Sequence, residues 1–80
     1  MNTTTLEYTA TLARRAWSEH LGQPVHDDDD LLSLGAHSLM MALVATALHA
    51  DLDIFVPLEL GFESPRFADY AEAVHRLRGA

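Results

Sequence analysis

The sequence predicts a small all-α protein, and three observations carry that prediction. Apolar residues recur at spacings of three and four in three separate segments. Helix-starting residues stand before each of them, and no pair of alternating segments is available to form a sheet. Eighty residues, 49% of them apolar, make one domain spanning 1–80 rather than a disordered tail. A chain of this size buries only about 60% of the surface it exposes when unfolded, so its core must be compact.

The first helix opens at "TTLE", with Thr4 as N-cap and Glu7 three residues later in the pattern of a capping box. Leu6, Ala10, Ala13, Trp17 and Leu21 supply one apolar stripe, and Gly22 follows where a left-handed cap is expected. From Gly22 to His37 no period is sustained. Pro24 and the run "HDDDD" argue for a long loop between the first and second helices, with Val25, Leu31, Leu32 and Leu34 as its apolar anchors.

The second helix is expected from Ser38 to Ala50, with Ser38 as N-cap after a turn at Gly35. Its core stripe is drawn through Met40, Leu43, Val44, Ala47 and Leu48. That leaves Leu39, Met41, Ala42, Ala45 and Thr46 on faces where a solvent-facing helix should carry charge. "DLDIFVP" reads as an extended connection, and Pro57 to Glu63 as a short helical turn. The last helix takes Ser64 as N-cap and Pro65 as its first residue, followed by the stripe Phe67, Tyr70, Ala71, Val74 and Leu77. Arg76 and Arg78 close it, where cations suit the helix dipole. Three main helices and one short helix form the bundle.

Composition excludes several classes of function. The net charge is −7, with five arginines and no lysine, which argues against nucleic-acid binding through phosphate neutralisation. Without cysteine there is no disulfide, no thiolate metal site and no thiol nucleophile. "MNTTTLEYTA" has no basic region before an apolar run, and Leu39 to Leu48 is too short to span a bilayer. A cytoplasmic, monomeric protein with no membrane role is expected.

Ser38 is the residue that invites chemistry. A catalytic serine needs a base in reach and an orienting acid. His37 is adjacent in sequence, but neighbours at a helix start do not generally face one another, and a hydrolase is disfavoured. On this residue alone a plain helix cap would suffice. The aspartates from Asp27 to Asp30 do not form a calcium loop, because Leu31 and Leu32 fall at its fifth and sixth positions. An acidic loop that meets basic partners is expected instead, and no metal site. His20, His49 and His75 fall one to a helix, as surface residues. Leu39 and Met41 beside the serine suit an adaptable docking surface, the alternative being a fold that buries more of this helix.

Taken together these residues are recognisable. "LGAHSLM", preceded by the acidic loop and followed by an uncharged helix, resembles the carrier proteins. The likeness is to peptidyl carriers, the thiolation domains of nonribosomal peptide synthesis, with their Leu-Gly-Gly-His-Ser-Leu core. Leu34, Gly35, His37, Ser38 and Leu39 match that core; Trp17, Leu21, Gly22, Pro57, Leu58, Phe62 and Pro65 match blocks on either side. The resemblance implies an acyl-carrier-like bundle in which Ser38 takes 4′-phosphopantetheine from coenzyme A, through a separate Mg²⁺-dependent phosphopantetheinyl transferase. The arm would hold an aminoacyl or acyl group as a thioester, on a borrowed thiol. It would be loaded by an adenylating enzyme or acyl-AMP ligase and visited by condensation, tailoring or thioesterase enzymes; the chain itself would catalyse nothing. Leu39, Met41 and Ala42 would lie nearest the arm in a docking surface that also takes in His37, Ala45 and Phe62. Histidine before the serine, where fatty-acid and many polyketide carriers usually have aspartate, resembles the peptidyl branch. An acyl carrier for fatty-acid or polyketide chains is the alternative, and a non-carrier helical module the next.

The departures from that pattern are Ala36 for the second glycine, Leu31 and Leu32 where aromatics are frequent, Gly61 for a usual leucine, and Arg66 where a threonine often caps the last helix. With Met1 at the start and no linker at either end, a free-standing carrier is expected.

Overall fold

A computed structural model describes residues 3–79. Four helices follow in order: α1 (Leu6–Leu21), α2 (Ser38–Leu52), the single-turn α3 (Leu60–Glu63) and α4 (Phe67–Leu77). The predicted all-α bundle of three main helices and a short one is therefore what forms, and no β-strand occurs among the described residues. α1 packs against both α2 and α4, and α3 against α4.

Each helix starts slightly away from where its sequence signals point. In α1 the cap is Thr5, not Thr4; its hydroxyl accepts from Tyr8 N–H at 3.1 Å, so Glu7 has no part in a capping box with it. The helix ends as expected on Gly22, whose φ of 69° is left-handed. Its buried line runs through Thr9, Leu12, Ala13, Ala16 and Trp17, rotated from the predicted stripe so that Leu6 is exposed. Thr9 is fully buried yet satisfied. Its hydroxyl meets His75 Nδ1 at 2.9 Å and accepts from Arg78 Nη1 at 2.7 Å, tying the end of α4 to the start of α1. His75 is therefore half-buried and engaged, not a free surface residue.

Ser64 does not cap α4, which begins at Phe67 after Arg66. The first amides of this helix bond to the long loop instead: Phe67 N–H to the Asp29 carbonyl at 2.8 Å and Ala68 N–H to the Asp27 carbonyl at 3.0 Å. In return Leu31 N–H bonds to the Pro65 carbonyl at 2.7 Å. The loop is thereby clasped to α4, with Val25 and Leu31 buried beneath it and Leu34 packed at its edge. Leu32, the fourth predicted anchor, is exposed. Trp17 lies at the centre of the core in an edge-on contact with Tyr70, ring centroids 5.4 Å apart and planes at 83°.

The acidic run stays at the surface, and its carboxylates also make contacts within the chain. Asp27 pairs with Arg14, Asp28 with Arg66 at 2.6 Å, Asp29 accepts from His26 N–H at 2.8 Å, and Asp30 accepts from Ser33 N–H at 3.0 Å. The Arg14 hydrogen bond holds Asp27 below the usual carboxylate range, and the His26 N–H does the same for Asp29. These contacts are complete above the ordinary carboxylate pKa and are lost as pH falls through the lowered values.

α2 is where the predicted burial pattern fails most clearly. Its buried residues are Met41, Val44, Ala45 and Leu48, while Leu43 is 46% exposed and Met40 and Ala47 are half-buried. The physical reason lies in α3. Gly61 is buried, and a Cβ added there would come within 2.7 Å of Met41 Sδ, so the missing side chain of Gly61 is what leaves room for the thioether. Gly61→Leu should cost about 1–3 kcal/mol, because α3 and Met41 must separate. A fall in the urea midpoint of unfolding, at unchanged denaturant slope, would show it.

Candidate functional site

The segment before α2 is a run of turns. Leu34, Gly35 and Ala36 N–H groups bond to the carbonyls of Asp30, Leu32 and Leu31, at 3.1, 3.1 and 3.0 Å. Gly35 sits at φ 108°, a conformation that a side chain would strain. Ala36 follows it without needing glycine's freedom, since its φ is not positive. His37 then extends (φ −138°, ψ 174°) and caps the helix, its Nδ1 accepting from Met40 N–H at 3.3 Å. An accepting Nδ1 places the ring proton of the neutral imidazole on Nε2.

That cap corrects the expected role of Ser38. It is the first residue inside α2, not the N-cap. Its side chain is exposed, and among the described residues its hydroxyl has no hydrogen-bond partner. The intrahelical ladder begins with Met41 N–H to the His37 carbonyl at 2.9 Å, which leaves the amides of Ser38 and Leu39 without partners inside the helix. An unencumbered hydroxyl beside free amides at a helix N-terminus fits a phosphodiester, both sterically and electrostatically. His37→Ala should lower stability by about 0.5 kcal/mol, since the cap is exposed and long. His37→Asp should restore it; equilibrium unfolding of the two variants checks both.

The predicted docking residues divide. His37, Leu39 (63% exposed) and Phe62 (48% exposed) stand at the surface, and Ala42 is half-buried. Met41 (1% exposed) and Ala45 (6% exposed) do not: they turn inward, Met41 onto Gly61, because the buried line of α2 is rotated from the one drawn. Leu43 is the surface residue that was missed. It lies one turn beyond Leu39 and so shares its face. Phe55, 76% exposed in the connection after α2, was missed as well.

A groove of about 320 Å³ runs beside α2, between Ala42, Ala45, Thr46 and His49 on the helix and Phe55, Val56, Leu58 and Glu59 opposite. Ser38, Ala42, Ala45 and His49 follow one another at intervals of four, three and four residues, so the serine heads the helical line that floors this groove. No grouping of His, Asp and Glu capable of holding a metal ion occurs among the described residues. Among them, too, no helix is long and apolar enough to cross a membrane.

Known proteins place this geometry. The family model described as a phosphopantetheine attachment site matches residues 12–74, which include the whole of α2 and the turn before it. Several solved structures share the fold, among them the two that follow. BlmI, a type-II acyl-carrier protein from Streptomyces verticillus involved in bleomycin biosynthesis, superposes with a TM-score of 0.81 at 19% identity, over 89% of this chain and 87% of its own. A nonribosomal PCP domain superposes with a TM-score of 0.70 at 22% identity, over 80% of this chain and 83% of its own. No curated protein sequence matches the chain.

Proposed function

Since the chain belongs to the family of phosphopantetheine attachment domains, we propose that Ser38 is its attachment residue and that it serves nonribosomal peptide or related natural-product assembly. The family is one of carriers that catalyse nothing themselves, and the prosthetic group is a covalent 4′-phosphopantetheine. Such an arm supplies the thiol that a cysteine-free chain lacks, and holds the cargo as a thioester.

The observation that carries the assignment of Ser38 is its release from capping. His37 satisfies the helix start, so the serine oxygen is free for a visiting enzyme. Histidine at the preceding position favours an aminoacyl cargo and loading by an adenylating enzyme. The likeness in fold to BlmI, involved in bleomycin biosynthesis, and to a nonribosomal PCP domain supports a role in natural-product assembly. Incubation with coenzyme A, Mg²⁺ and a broad-specificity phosphopantetheinyl transferase, followed by fragmentation mass spectrometry, tests the site. The added phosphopantetheine should map to Ser38. Mass on any other residue would sink the assignment. Transfer of an amino acid to the arm by an adenylating enzyme, with refusal of malonyl groups, tests the peptidyl role; the reverse preference would point to an acyl carrier.

Leu39, Leu43 and Phe62, with Ala42 between them and the groove, form the surface on which we place visiting enzymes. Leu39→Asp removes exposed apolar area from that surface without touching the core. It should slow phosphopantetheine transfer by about 10-fold, the equivalent of ~1.4 kcal/mol of lost contact. A rate equal to that of the unmodified sequence would remove Leu39 from the surface.

A further inference from the structure

The cap of α2 is held loosely. The His37 ring accepts from one amide, Met40 N–H, at the long distance of 3.3 Å, and it does so from an exposed position. Only Nδ1 is used, and the ring proton sits on Nε2. Two further amides at the same helix start, those of Ser38 and Leu39, have no partner inside the helix.

Basic side chains are scarce in this part of the chain. Between Arg15 and Arg66 there are four histidines and neither lysine nor arginine. Three of the four are engaged elsewhere. His20 Nδ1 lies 2.9 Å from the Ala16 carbonyl, His49 Nδ1 2.6 Å from the Ile54 carbonyl, and His26 Nδ1 3.3 Å from an Asp29 oxygen. His37 alone adjoins Ser38, and its one long bond is all that holds its ring. A phosphodiester on Ser38 brings a negative charge and two unesterified oxygens to this helix start. Charge-assisted hydrogen bonds from amides to such oxygens are about twice as strong as neutral ones. The anion therefore competes with the ring for Met40 N–H, the contact that keeps the ring in place.

We propose that His37 has two positions and that modification of Ser38 moves it from one to the other. In the unmodified chain the ring caps α2 through Nδ1. Once Ser38 carries the phosphodiester, the ring yields Met40 N–H to the anion and donates Nε2–H to a phosphate oxygen. No proton has to be gained, since Nε2 already carries one. His37 is then a positioning residue: it steadies the root of the arm and takes no part at the thioester. The inference rests on Ser38 being the attachment residue and goes beyond it by naming the side chain that holds the attached group.

The test reads amide and phosphorus resonances of the whole chain before and after modification by a phosphopantetheinyl transferase. Intact mass verifies that each conversion is complete. In the unmodified chain His37→Ala should shift the Met40 amide. In the modified chain the same substitution should leave that amide in place and shift the phosphorus resonance instead. His37→Asn can both cap and donate, so it should keep the phosphorus resonance near its position in the histidine form. His37→Asp caps but has no proton to donate, and should shift it at least as far as His37→Ala does. A Met40 amide still sensitive to His37→Ala after modification would overturn the exchange, because the ring would not have left its cap. A phosphorus resonance indifferent to all three substitutions would overturn the contact, with Ser38 still confirmed by the added mass. Failure of Ser38 to gain the arm would overturn the attachment and this proposal together.

Discussion

Ser38→Ala should gain no phosphopantetheine under conditions in which the unmodified sequence is converted completely, and it should fold as stably. The first half is all-or-none, because the transfer needs an oxygen and no neighbouring hydroxyl occupies the same place: Ser33 lies five residues back, its N–H bonded to Asp30 in the clasped loop. The second half is more discriminating. A serine that capped α2 would cost about 1 kcal/mol when replaced by alanine. Here His37 does the capping and the Ser38 hydroxyl has no partner among the described residues, so the change in unfolding free energy should stay within about 0.5 kcal/mol. Intact-protein mass and urea unfolding on the same preparation read the two halves independently. A stability loss near a full cap's value would mean that Ser38, and not His37, starts the helix.

Trp17→Ala should have the largest effect on stability. Trp17 is fully buried and stacked edge-on against Tyr70 at the meeting of α1 and α4. Removing a buried indole costs about 3–5 kcal/mol. At ~0.05–0.15 kcal/mol per residue, a domain of this size has about 4–12 kcal/mol in all, so the loss takes a large share of it. Partial or complete loss of helical circular dichroism at 25 °C is expected. Trp17→Phe separates packing from polarity. Among the described residues the indole N–H meets no acceptor in hydrogen-bond geometry, its nearest polar influence being on the Tyr70 hydroxyl, so the cost should be little more than that of the smaller ring, about 1–2 kcal/mol. A phenylalanine variant as damaged as the alanine one would mean that the N–H is engaged after all.

The architecture was legible because periodicity and punctuation agreed along most of the chain. Gly22 fell at the left-handed end of α1, and four of the five stripe residues of α4 are buried, Leu77 alone being exposed. Leu39 was placed off the core stripe by the same reading, and Phe62 was singled out only by the family resemblance; both are exposed. What it missed has two physical causes. α2 is apolar on every face, so no period distinguishes Met41, which is buried, from Leu43, which is not; the choice is made by Gly61, twenty residues away. The caps were misplaced because a capping residue is read locally, whereas the first amides of α4 find carbonyls of Asp27 and Asp29 nearly forty residues upstream. Histidine as the cap of α2 had a visible signal, a ring nitrogen three residues before Met40, but serine is the stronger local candidate.

The clasp between the long loop and α4 has one more consequence, for how this chain tolerates change. Leu31 and Pro65 are hydrogen-bonded, so everything between them, both α2 and α3 included, is a loop closed on itself. Closure entropy grows with the logarithm of loop length; for a loop of roughly 35 residues, inserting or deleting one or two alters it by less than ~0.1 kcal/mol. The connection from Asp53 to Glu59, which forms one wall of the groove, can therefore be lengthened, shortened or rewritten at almost no entropic cost to folding. A fold of this design is free to diversify that wall of the groove while the frame that holds α2 stays as it is.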